Sequence, residues 1–110
     1  MKKKSFINVH PGEILAEEFL FPLSISAYRL AKETGISESN LSEIIHGKRS
    51  ITVSISLRLG KFFELNPSFW IGLQNDYDLR LEENKLKSEI KNIKSYKKII
   101  KKNSRSKAVA

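Results

Sequence analysis

The chain has 110 residues, room for one domain and one hydrophobic core. Its 40% apolar and 29% charged content is that of an ordinary soluble globular protein, no apolar run is long enough to span a bilayer, and the lack of cysteine excludes disulfides and thiolate metal sites. The net charge of +8 suggests an anionic partner, but residues 80–110 hold 11 Lys/Arg against 3 Asp/Glu while residues 1–79 hold 9 of each. The chain therefore divides into a charge-balanced domain, residues 1–79, and a lysine-rich extension, residues 80–110.

In chain order, Met1-Lys2-Lys3-Lys4 begins like a secretory signal. The following Ser5-Phe6-Ile7-Asn8-Val9 is too short and too polar to continue one, so a cytoplasmic location is expected. His10-Pro11-Gly12-Glu13 opens a helix: Pro11 suits the first position, whose N–H is unbonded in any case, and Glu13 complements the positive helix end. Phe21-Pro22 is expected to close it. Ser26 then stands as an N-cap, with Ile25 before it and Leu30 four positions after it, the spacing of a hydrophobic staple. The pattern recurs with Ile36, Ser37 and Leu41, and Gly35 between the two supplies the left-handed residue that ends the first helix. The second helix runs to His46 and stops at Gly47. Thr52 caps a further helix with Ile55, Leu59, Phe62 and Phe63 on its inner face, and Asn66-Pro67 starts the next, where Trp70, Leu73 and Tyr77 share a face. Trp70 is read as core.

The two short helices between Ser26 and Gly47, with Leu30, Ala31, Ile36, Leu41, Ile44 and Ile45 turned inward, have the organisation of a helix-turn-helix. Capped helix pairs also occur as plain hairpins in bundle cores, and spacing alone leaves both readings open. Under the DNA reading the second helix enters the major groove and presents Glu38, Ser39, Asn40, Ser42 and Glu43. Carboxylates can accept from cytosine N4, and Asn40 either pairs with adenine or supports the turn. Ser37, Ser39 and Ser42 can bond phosphate or base, and Lys48 and Arg49, just past Gly47, stand where phosphate contacts are made. From the first helix, Ser26, Ala27 and Arg29 belong to the same surface.

His10-Pro11-Gly12-Glu13-Ile14-Leu15, Leu30-Ala31 with Gly35-Ile36-Ser37, and Gly47-Lys48-Arg49-Ser50-Ile51-Thr52 resemble the HigA family of antitoxins. Arg58-Leu59-Gly60-Lys61-Phe62-Phe63 and the stretch from Pro67 to Leu79 are similar to that family's closing motif, so the resemblance covers about residues 8–80. It implies an all-α, five-helix Cro/cI-like helix-turn-helix domain that dimerises, binds double-stranded operator DNA, represses its own operon and neutralises a HigB-like toxin, a RelE-like mRNA-cleaving ribonuclease. The alternatives are a stand-alone transcriptional regulator without a toxin partner and an interaction protein whose helix-turn-helix is vestigial.

An enzyme is not expected. His10 and His46 are far apart in sequence, and no Ser/His/Asp constellation, HExxH motif or phosphate-binding glycine loop is present. No metal site, cofactor or membrane partner is expected either. In the extension, Leu79, Leu86, Ile93 and Ile100 recur every seven residues with Ile90 and Tyr96 beside them, which predicts one amphipathic helix over about 78–101. Its apolar stripe calls for a cover, from the domain, a second copy or the toxin, and its lysines lend electrostatic reach. Residues 103–110 carry no stripe and are expected to be disordered.

Overall fold

His10 sets where the fold begins. Its Nδ1 accepts the Gly12 N–H at 2.8 Å, and Pro11 follows as the first helical residue. The computed structural model describes residues 8–102, so the expectations for the first seven residues and for 103–110 lie outside the described residues. Among the described residues every regular element is helical. The first helix, α1, covers residues 11–23 in three consecutive segments: Pro11–Ile14, a widened π-helical stretch Leu15–Leu20, and Phe21–Leu23. Phe21-Pro22 does not close it as expected. A proline inside an α-helix removes one N–H and collides with the carbonyl four residues earlier, and widening the preceding turn eases that collision. Here the Phe21 N–H reaches back five residues to the Ala16 carbonyl, and the helix ends at Ser24 in the left-handed conformation, φ 56°.

Helix α2 (Ala27–Thr34) and helix α3 (Glu38–Ile45) start where the sequence places them. Ser26 Oγ accepts the Arg29 N–H at 3.0 Å and Ser37 Oγ accepts the Asn40 N–H at 3.1 Å. Gly35, at φ 79°, turns the chain between them. Helix α4 (Val53–Phe63) begins at the Thr52 cap and ends at Glu64, a left-handed residue with φ 57° that no glycine or asparagine announces. Helix α5 (Phe69–Lys85) starts two residues beyond Pro67, because the Asn66 side chain first holds a turn by accepting from the Ser68 N–H and hydroxyl.

These five helices close over one core. Leu15 and Leu20 of α1, Leu30 and Ala31 of α2, Leu41 and Ile44 of α3, Ile55 and Leu59 of α4 and Trp70 of α5 are buried, with Ile36 and Ile51 from the connections. Helix α1 packs on α3 and α5, α2 on α3 and α4, and α4 on α5. Trp70 is core, as read, and stacks edge-on against Phe19 and Phe69 at ring separations of 5.0 and 5.2 Å. Two polar groups that periodicity does not reveal tie the helices together. Gln74 Oε1 accepts the buried Ile51 N–H at 2.8 Å, and Ser56 Oγ donates to the Pro67 carbonyl at 2.7 Å while accepting from the Ile71 N–H.

The extension departs from expectation. Helix α5 passes through the boundary placed at Leu79 without a break and ends at Lys85. Beyond it stand two short helices, α6 (Lys87–Lys91) and α7 (Tyr96–Lys102), separated by an irregular stretch over 92–95. The single amphipathic helix over 78–101 therefore does not form, and the domain does not cover the stripe. Leu79, Leu86, Ile93 and Ile100 are 60%, 37%, 71% and 40% exposed. The helix has no reason to persist, because isolated helical turns are marginal in water unless an apolar face is buried. The extension projects from the domain: the radius of gyration is 20.1 Å, against roughly 12–13 Å for a compact chain of this size.

Candidate nucleic-acid interface

The candidate surface is built on α2 and α3, and three contacts hold those helices in place. Gly12 of α1 lies directly against the Ile44 carbonyl of α3, so close that an added Cβ would fall far inside van der Waals contact with that oxygen. Arg58 of α4 donates from one guanidinium nitrogen to the Thr34 carbonyl at 2.8 Å and from Nε to Ser54 Oγ at 3.3 Å. It thus places a cation at the end of α2, where carbonyls lack helical partners and the helix dipole is negative. Gln74 anchors the chain between α3 and α4 through Ile51. Sequence reasoning placed Arg58 and Gln74 inside the family's closing motif but gave neither a role, since both lie on faces with no distinctive spacing. For Gly12 it recognised the motif without the reason.

With the helix ends fixed, Glu38, Ser39, Ser42 and Glu43 of α3 are exposed together. Asn40 is half-buried and lines a groove with Ser37, Arg49, Thr52, Ser54 and Arg58. Ser26, Ala27 and Arg29 are exposed at the start of α2, with Arg29 Nε 2.8 Å from Glu33 Oε2. Gly47 follows α3 at φ 74°, and Lys48 and Arg49 beyond it are exposed. Arg49 is not isolated: its Nε lies 2.7 Å from Glu43 Oε1, so one acid of α3 is matched by the cation that follows the helix. Lys48 forms no ion pair among the described residues.

The two histidines have structural places. His46 Nδ1 lies 2.8 Å from the Ser42 carbonyl, within the last turn of α3. His10 caps α1 and meets the Tyr77 ring edge-on at 4.9 Å. Burial pushes its pKa below the ordinary 6.5, partly opposed by the carboxylates of Asp78 and Glu13. No cluster of three or more metal-ligating side chains occurs among the described residues, and no helix there is long and apolar enough to cross a membrane.

Comparison with known proteins places this arrangement. The helix-turn-helix family pattern matches residues 17–70, from α1 into the first turn of α5. Virulence-associated protein I of Dichelobacter nodosus is 43% identical over 75 residues, 68% of this chain and 69% of that protein. An addiction module antidote protein of the HigA family from Coxiella burnetii superposes with a TM-score of 0.77 at 42% identity, over 83% of this chain and 100% of that one. The Pseudomonas aeruginosa antitoxin HigA, solved with the higBA promoter, gives a TM-score of 0.77 at 32% identity, over 82% of this chain and 99% of that one. Two of these relatives are an antidote and an antitoxin, the latter solved with promoter DNA. On these matches, together with one to antitoxin HigA-1 of Vibrio cholerae at 31% identity over 86% of this chain and 89% of that protein, the chain belongs to the HigA family of helix-turn-helix antitoxins and regulators.

Proposed function

We propose that the chain binds operator DNA as a homodimer, represses its own operon and neutralises a HigB-like, RelE-type mRNA-cleaving toxin. The observation that carries the DNA part is the Ser37-capped α3, with Glu38, Ser39, Ser42 and Glu43 exposed on one side and Leu41 and Ile44 locked in the core on the other. Such a helix enters the major groove with its first residues at base edges. Glu38, Ser39 and Asn40 read bases, Ser26, Ala27, Arg29, Ser37 and Lys48 follow the backbone, and Arg49 contacts phosphate while holding Glu43. A single eight-residue helix reads too few base pairs for useful discrimination in a genome, which is the physical reason for two copies on a palindrome. A DNA partner of this kind places the protein's work in the cytoplasm. Toxin neutralisation rests on family membership.

The test has two parts. Gel shift and footprinting on the promoter region of its own gene should show a symmetric protected site, with Glu38→Ala or Ser39→Ala changing which operator variant is preferred. Co-expression with a small basic RelE-like protein encoded beside it should restore growth and allow co-purification. Operator binding with no such neighbour and no rescue would leave the stand-alone regulator in its place. An uncooperative, sequence-independent shift would remove the operator reading.

A further inference from the structure

The extension after Lys85 bears the charge that the domain lacks. Lys87, Lys91, Lys94, Lys98 and Lys101 are all exposed, recur at steps of four and three residues, and form no ion pair among the described residues. The domain they project from carries no net charge through Leu79, so its own field draws DNA weakly, whereas residues 80–110 carry the whole +8. The apolar side chains of the extension offer no continuous alternative. Leu86 and Ile90 are separated from Tyr96, Ile99 and Ile100 by the irregular stretch over 92–95.

We infer that the extension is a sequence-independent phosphate-binding arm that engages duplex DNA flanking the site held by α3. The inference rests on the proposed operator binding for its geometry. A projecting, broken pair of short helices can follow a backbone beyond the footprint of a compact domain, and each lysine brought to a phosphate releases condensed counterions. The partner is thus the sugar-phosphate backbone of the same duplex, recognised by charge spacing without base contacts.

The experiment compares the full-length protein with a full-length variant carrying Lys87→Gln, Lys91→Gln, Lys94→Gln, Lys98→Gln and Lys101→Gln. Both are titrated across a salt series against three probes: a short duplex trimmed to the protected site, a long duplex with that site at its centre, and a long duplex of unrelated sequence. The unaltered protein should favour the long specific duplex over the short one by on the order of tenfold at low salt. Its salt slope on the long probes should be steeper than the variant's by about one unit per engaged lysine. The variant should melt unchanged, since all five positions are exposed, and should bind the two specific duplexes alike. A variant that keeps both the length preference and the slope overturns the arm. So does an extension that binds anionic phospholipid vesicles while leaving the DNA titrations unaffected. If the unaltered protein fails to prefer its own promoter, the operator reading fails, and the unrelated duplex still decides whether the lysines bind phosphate.

Discussion

Helices α2 and α3 have eight residues each and α6 and α7 have five and seven, yet the first pair is fixed and the second lies bare. The difference is not length. Each helix of the first pair begins at a serine whose hydroxyl satisfies a free N–H, is followed by a glycine at positive φ, and sends two side chains into the core. Among the described residues, neither Lys87–Lys91 of α6 nor 96–101 of α7 buries a side chain on the domain, and α6 begins without a side-chain cap. Short helices are held by the surface they bury, and caps then set where they begin. In this protein the packed pair carries the proposed DNA-reading surface, and the unpacked pair carries the proposed phosphate-binding arm.

Four measurements break or sharpen that contrast. The largest effect is expected at Trp70: truncation to Ala removes the centre of the aromatic cluster and should lower stability by about 3–5 kcal/mol in denaturant melts. Ile93→Ala in the extension should change it by less than about 0.5 kcal/mol. Because Trp70 Nε1 is buried without a partner among the described residues, Trp70→Phe should be far milder than Trp70→Ala. An equal loss at Trp70 and Ile93 would mean that the extension is packed after all.

Next comes Gly12→Ala, which forces a methyl into the Ile44 carbonyl and must push α1 away from α3. A loss of about 1–3 kcal/mol is expected, accompanied by weaker operator binding because α3 shifts. A stable variant with normal DNA affinity would show that the α1–α3 contact does not set the reading helix. Gln74→Leu should follow at about 1–3 kcal/mol, the cost of leaving the Ile51 N–H buried and unbonded. Hydrogen exchange at that amide should rise in step.

The smallest effect is a pH dependence at His10. Its neutral ring accepts the Gly12 N–H, and its pKa lies below 6.5 in the folded protein, so the unfolded chain binds the proton at higher pH than the folded one does. The stability it contributes is therefore present above 6.5 and is lost as pH falls from there through the lowered value. Melting temperature should drop over that window. In His10→Asn, which keeps a capping acceptor but does not titrate there, the drop should flatten. Identical pH profiles would assign the dependence to other groups.

Much of the reading surface was legible because its chemistry is local. A serine cap, an apolar residue on either side and a glycine after the last turn are each decided within a few residues, so Ser26, Ser37, Thr52, Gly35 and Gly47 fell where the sequence put them. Breaks that depend on larger distances were not. Pro22 was expected to stop α1, but a widened turn let the helix continue, and the left-handed end of α4 at Glu64 had no residue to announce it. Seven-residue recurrence in the extension suggested one long helix. Periodicity records which face would be apolar if a helix formed, and not whether a surface exists to bury that face.

The sequence by itself determined the helix pair, its caps, the core positions Leu30, Ala31, Ile36, Leu41, Ile44, Ile55, Leu59 and Trp70, the family and the concentration of positive charge after Leu79. Only the tertiary structure decided that Arg58 holds the end of α2, that Gln74 secures the chain at Ile51, that Gly12 is required by the Ile44 carbonyl and that Arg49 pairs with Glu43. Each of these joins residues brought together by packing. Apart from Arg49 and Glu43, the partners lie more than twenty positions apart in the chain. Their hydrogen bonds and close contacts depend on distances that no spacing rule encodes, because they exist only once the helices have found one another.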